Sequence, residues 1–184
     1  MKIYLAGPLF STAEREFNAR LAELLQRKGH EVWLPQAFEQ RSVPAKQIFE
    51  KDVEGVDWAE VVVANMDGPD PDSGTCWECG YAHGKKPVIV YRTDFRIAED
   101  PEKGPFNLML TESATRCLEL AFKDSATVAQ RLLEVLDEIE SRAQTQRIAR
   151  TRVSRSAKSK KRAHTQRSWI ARTRASKSAK RNKT

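Results

Sequence analysis

Ile3-Tyr4-Leu5-Ala6-Gly7-Pro8 is the stretch from which the fold is read. A short, continuously apolar run stopped by Gly-Pro suits a strand buried on both faces of a parallel sheet. A half-exposed strand would alternate apolar with polar residues instead. Just behind it, Ser11 and Glu14 stand three apart, the spacing of a capping box that opens a helix. Phe17, Leu21, Leu24 and Leu25 then fall on one face of that helix.

The same alternation repeats along the chain. Gly29 closes the first helix, and Glu31 to Leu34 reads as a second strand. A helix is expected from about Ala45 to Ala59, and Val61-Val62-Val63-Ala64 reads as a strongly β-branched third strand. Asp67 to Gly74 is loop by its Gly, Pro, Asp and Ser content. A short helix from about Thr75 to His83 and a strand from Pro87 to Tyr91 follow. Arg92 to Phe106 is a long polar connection, the kind that often carries function. A fifth strand is expected within Asn107–Phe122, and Val128, Leu132, Leu136 and Ile139 mark a final helix. Strands alternating with helices give an α/β fold, a flavodoxin-like or Rossmann-like three-layer domain around a mostly parallel five-stranded sheet.

Charge divides the chain. The 184 residues hold 32 Lys+Arg and 25 Asp+Glu, formally +7. From Ala143 to Thr184 there are 15 Lys or Arg and no acid, so residues 1–142 keep 17 basic and 25 acidic residues, net −8. The expected organisation is a catalytic domain over 1–142 and a basic, disordered tail over 143–184. The tail is imperfectly duplicated: Thr145-Gln146-Arg147 recurs as Thr165-Gln166-Arg167, and Ile148 to Arg152 as Ile170 to Arg174. Three cysteines are too few for a disulfide framework, and neither a membrane span nor a signal peptide is legible, so a soluble cytoplasmic protein is expected.

Ligands of open α/β sheets bind beyond the carboxyl ends of the strands. Three polar clusters fall there: Tyr4 with Gly7-Pro8, the Asp67 to Thr75 loop, and Glu78 in what reads as the first turn of the next helix. A carboxylate in a first turn meets free N–H groups and the positive end of the helix dipole, so Glu78 is expected to be ionised, as a nucleophile must be. The plainer reading is a charge that merely complements the helix end. Arg92 and Asp94 are further candidates for lining a base pocket. Cys76, Cys79 and His83 lie at helical spacing but lack a fourth ligand for a structural zinc, and they read as small fillers around the site.

Lys2 to Phe10, Ala64-Asn65-Met66-Asp67-Gly68, Asp72-Ser73-Gly74-Thr75-Cys76-Trp77-Glu78-Cys79-Gly80-Tyr81-Ala82 and Gly84-Lys85-Lys86-Pro87 together resemble the nucleoside 2-deoxyribosyltransferases over about residues 1–125. The resemblance implies that Glu78 is the nucleophile and Tyr4 positions it. It implies that Asp72 helps hold the sugar's 5′-hydroxyl, and that Asp52 protonates the departing base. Gly7, Asp67, Ser73 and Gly74 fall in the substrate-binding stretches, and Asn107 and Met109 match a segment lent by a neighbouring subunit. The substrates implied are 2′-deoxynucleosides and free purine or pyrimidine bases, in nucleotide salvage, by a homo-oligomer (dimer or hexamer), with no cofactor and no metal.

Related hydrolases of the superfamily cut deoxynucleoside 5′-monophosphates and carry serine six residues before the glutamate. Asp72 stands there in this chain, and a carboxylate repels a phosphate dianion while accepting a hydrogen bond from a hydroxyl. Transfer between nucleosides is therefore preferred over monophosphate hydrolysis. A reading of another class makes the body an idle nucleotide-binding module held on nucleic acid by the tail. For the tail itself the alternatives are a solvated extension and a non-specific nucleic-acid tether over 143–184, with Trp169 able to stack on a base.

Overall fold

The computed structural model describes residues 1–38, 41–96 and 104–149. Five strands, β1 (Lys2–Ala6), β2 (Glu31–Trp33), β3 (Val61–Asn65), β4 (Val88–Arg92) and β5 (Arg116–Glu119), pair in parallel in the order β2-β1-β3-β4-β5. This is the flavodoxin-like order. The helices are α1 (Thr12–Gln26), α2 (Ala45–Trp58), α3 (Ser73–Ala82) and the short α4 (Leu108–Ser113). Residues 125–149 are also helical. The chain divides into two compact units, Met1–Val135 and Leu136–Thr184. The site described below lies in the first.

Sequence patterns account for most of these elements. Every residue of β3 and β4 is buried, as a sheet covered on both faces requires. Ser11 caps α1 in a complete capping box: its side chain accepts the Glu14 N–H, and the Glu14 carboxylate takes the Ser11 N–H at 2.7 Å. Leu21 and Leu25 of α1 are fully buried. Two features differ from expectation. A helical turn, α4, precedes β5 within Asn107–Phe122. The first residues of the expected tail, 143–149, are helical, because the final amphipathic helix runs on past its last buried apolar residue into the basic segment. The rest of the tail, with Trp169, lies outside the described residues, as do 97–103 of the long polar connection.

One sheet face, made by Tyr4, Ala6, Val62, Ala64, Val88 and Val90, packs against Val56 of α2 and Cys79 and Ala82 of α3. Two contacts set where α2 lies. The ammonium of Lys86, just before β4, donates to the C-terminal carbonyls of α2, reaching Ala59 at 2.7 Å and also Val56 and Asp57. A cation at a helix C-terminus is favoured by the dipole. Gly55 of α2 lets the helix close onto the Trp33 indole, which packs in turn on Phe38 and Trp58 at 5.1 and 5.6 Å. A Cβ at Gly55 would stand 2.3 Å from Trp33 Nε1.

Gly55→Ala should therefore destabilise the fold, although Ala is the better helix former. Overpacking costs about 1–3 kcal/mol against about 1 kcal/mol of propensity gained. Thermal unfolding should show a lower Tm; an unchanged or raised Tm would mean that the indole yields freely.

Candidate active site

The strand order reverses between β1 and β3, and the crevice at such a reversal is where ligands enter this architecture. Gly7, just past β1, permits close approach of the two strand ends: a Cβ there would meet the Asn65 Cβ at 3.1 Å. Asn65, at the end of β3, turns its Oδ1 to accept the Asp67 N–H at 2.8 Å. The loop after β3 is then fastened from β4. Arg92, only 4% exposed, donates to the carbonyls of Met66 and Gly68, both at 2.8 Å. Asp67 accepts from Thr93 N and Oγ1 at 2.5 and 2.6 Å and from Asp94 N at 2.8 Å. Asp94 takes the Gly68 N–H and pairs with Arg96 at 2.9 Å.

This fastened loop delivers Asp72 to the start of α3. Its Oδ2 accepts from Thr75 N at 2.8 Å and Thr75 Oγ1 at 3.0 Å, the N-cap arrangement. Oδ1 has no partner among the described residues. Ser73 and Gly74 are the first helical residues and are exposed. A Cβ on Gly74 would come 3.1 Å from Asp72 Oδ2.

Glu78 is thus the sixth residue of α3, in its second turn, and the expectation of a first-turn carboxylate facing free N–H groups is corrected. Asp72 takes that position because the helix starts at Ser73, two residues before the expected Thr75. Glu78 instead points inward to β1, where the buried Tyr4 hydroxyl donates to its Oε1 at 2.5 Å. The electrostatic sign changes with the position. Burial pushes the Glu78 carboxyl up to about 7; the Tyr4 hydrogen bond opposes this, and the neighbouring charges of Asp52 and Asp72 reinforce it. Burial also raises Asp52, half-buried on α2, and raises the Tyr4 hydroxyl well above its ordinary range. Tyr4, Glu78 and Asp52 come together from three elements.

The remaining sites are more dispersed. Asp67 is at the crevice with both oxygens committed to Thr93 and Asp94. The terminal nitrogens of Arg92 and the Asp94 carboxylate likewise bind the loop. Asn107 caps α4 through its own side chain, accepting the Met109 N–H at 2.9 Å, and the Met109 side chain is exposed. Cys79 lies in the core, the Cys76 thiol meets the Pro71 carbonyl, and His83 Nδ1 lies 3.1 Å from the Ser113 carbonyl oxygen. Sequence reasoning missed that Phe49 and Tyr81 flank Trp77 in an aromatic row, with ring separations of 5.3 and 5.1 Å, beside Asp52 and Glu78 in sequence. Phe49 stands three before Asp52 on α2, a spacing that could have signalled a shared helix face. No helix among the described residues is long and apolar enough to cross a membrane.

A raised carboxyl stabilises the fold only while protonated. The Glu78 contribution is present in full below its ordinary 4.5 and is lost as pH rises through about 7. Glu78→Gln should therefore be more stable than the parent at pH 8, by about 1–2 kcal/mol after allowing for solvent at a half-buried group, and the gap should close at pH 4.5. Thermal denaturation at both pH values checks this; a gap independent of pH would contradict it.

The family profile described as nucleoside 2-deoxyribosyltransferase matches residues 3–109. No curated protein matches the chain. Among solved structures, a conserved protein from Enterococcus faecalis V583 shares 28% identity at a TM-score of 0.58, covering 73% of this chain and 98% of that one. The 2-deoxyribosyltransferase from Bacillus psychrosaccharolyticus shares 28% identity at 0.55, covering 70% and 90%. A CMP N-glycosidase from Clostridium botulinum, 20% identical at 0.52 over 72% and 97%, shares the fold. The profile spans more than half of the sequence and includes Tyr4, Asp52, Asp72 and Glu78, and the chain belongs to the nucleoside 2-deoxyribosyltransferase family.

Proposed function

We propose that the protein transfers 2-deoxyribose between nucleobases by a retaining double displacement. The observation that carries this reading is the Tyr4–Glu78 hydrogen bond beside Asp52. In the first step a Glu78 oxygen bonds to C1′ and the N-glycosidic bond breaks. Its electron pair leaves with the base, and Asp52 supplies the proton. In the second step the nitrogen of another base attacks C1′ from the face the first base left. The Glu78 ester bond breaks, and Asp52 recovers a proton. Absence of a 2′-hydroxyl eases the cationic transition state, so two carboxyl groups suffice, as in retaining glycosidases.

Asp72 supports nucleosides over 5′-monophosphates. Its uncommitted Oδ1 is suited to accept a hydrogen bond from a 5′-hydroxyl, and Arg96, the one basic residue among those described lining the adjoining cavity, is already paired with Asp94. In this reading Gly7, Asp67, Ser73 and Gly74 shape the sugar site. Asn107 and Met109 complete the site of a neighbouring copy in a dimer or hexamer. The test is incubation of deoxyinosine or thymidine with a different free base, followed by chromatography: the exchanged nucleoside should form. Faster cleavage of a deoxynucleoside 5′-monophosphate than exchange would favour the N-glycosidase alternative.

The exchange rate should rise with pH through about 7 as Glu78 ionises. Tyr4→Phe removes the hydrogen bond that favours the carboxylate, so the acid limb should move to higher pH by about one unit. The loss should be greater at pH 6 than at pH 8; an equal loss at both would remove Tyr4 from control of Glu78 ionisation.

The basic segment is proposed to bind nucleic acid without sequence preference. Its 15 cations and no acids contrast with the net −8 of residues 1–142. Truncation after residue 149, which keeps the described helix, should preserve exchange. It should abolish duplex binding that, in the full chain, weakens sharply between about 50 and 200 mM salt. Equal duplex binding by the two proteins would exclude the tether.

A further inference from the structure

A cavity of about 610 Å³ opens over the carboxyl ends of β1, β3 and β4 on the α1 side of the sheet. Tyr4, Glu78 and Asp52 do not line it, but Asp72 does. Asp72 therefore borders both the Glu78 cluster and this space, and in the reading above base and deoxyribose are held on the Glu78 and Asp52 side of it.

The cavity rim is aromatic and exposed: Phe10, Phe95 and Phe122 are 76%, 63% and 79% accessible. Water-facing rings of this kind, gathered around one opening, are uncommon without a partner. Phe95 and Phe122 stack at 5.0 Å and 17°. Phe122 is held at φ 59, the one positive φ outside glycine among the described residues, and its N–H is fixed to the Thr93 carbonyl at 2.9 Å. A bulky residue in the left-handed region costs about 1–3 kcal/mol, and such strain persists where the surroundings enforce it, often at ligand clamps. The lining is also acidic: among the described residues Glu14, Asp67, Asp70, Asp72 and Asp94 accompany a single cation, Arg96. That charge rejects an anion and favours a cation, which the faces of phenylalanine rings also attract.

We propose that this cavity is a subsite for a substituent carried on the 5′ carbon of the nucleoside, selecting a flat apolar group joined through a cationic or neutral hydrogen-bond donor. It rests on the reading above, in which Asp72 Oδ1 takes the 5′ donor. An amine at C5′ would donate to Asp72, and a ring attached to that amine would extend along the Phe95–Phe122 pair.

The test compares a 5′-benzylamino-2′,5′-dideoxynucleoside with the 5′-amino analogue lacking the benzyl group, on a base the enzyme exchanges. Both are measured by calorimetry on the full chain. The benzylamino compound should bind about ten-fold tighter. Phe122→Ala and Phe95→Ala should each erase most of that gain while leaving exchange of the unsubstituted nucleoside within about two-fold of the parent. Phe122→Gly, which suits the left-handed backbone, separates loss of the ring from loss of the loop: it too should lose the gain. Equal affinity for the two compounds, or a gain that survives all three substitutions, would overturn the subsite alone. Failure to exchange the unsubstituted nucleoside would overturn the underlying reading, and this one with it.

Discussion

Parallel pairing of β1 with β3, from Ile3 opposite Val61 to Ala6 opposite Ala64, is the constraint on which the rest depends. It places two strands that are distant in sequence side by side where the order reverses, so the segments leaving them diverge and open a crevice. The pairing carries Tyr4 under α3 and brings Asn65 against Gly7. Without that register the Tyr4 hydroxyl, 74 residues from Glu78 in sequence, would not meet its carboxylate.

Around the crevice the charges divide their work. Asp72 accepts the Thr75 N–H and hydroxyl at the start of α3, where a carboxylate is comfortable and largely structural on one oxygen. Glu78, one turn further on and turned inward, receives no such help and is held near neutrality of its proton equilibrium by burial on one side and Tyr4 on the other. A carboxylate kept this way is less solvated than a surface glutamate, which suits the nucleophilic role proposed for it, and the fold carries the cost of holding it ionised. Arg92 plays the opposite part: a buried guanidinium spent on backbone carbonyls, fixing the loop that delivers Asp72.

Much of this was legible in the sequence. Unbroken apolar strands, the Ser11–Glu14 capping box and the alternation of strand and helix fixed the architecture, because each depends on local spacing. The family resemblance singled out Tyr4, Asp52, Asp72 and Glu78, which local pattern alone could not connect. What escaped was set by tertiary context. The ionisation of Glu78 turned on a two-residue shift in where α3 begins. Arg92 closes an apolar strand and gives no sign in sequence of being buried on carbonyls. Phe122 adopts a backbone conformation that nothing in its neighbours announces. The turn of α4 is too short to show a periodic pattern.

The proposed double displacement requires a covalent bond between Glu78 and the sugar. Incubation with a 2-fluoro-2-deoxynucleoside, in which the fluorine slows breakdown of a glycosyl ester, followed by intact mass measurement and peptide mapping, tests it directly. One added fluorodeoxyribosyl group per chain is expected, located on Glu78 and absent from Glu78→Gln. A label on another residue, or base release by the parent with no adduct on Glu78, would contradict it.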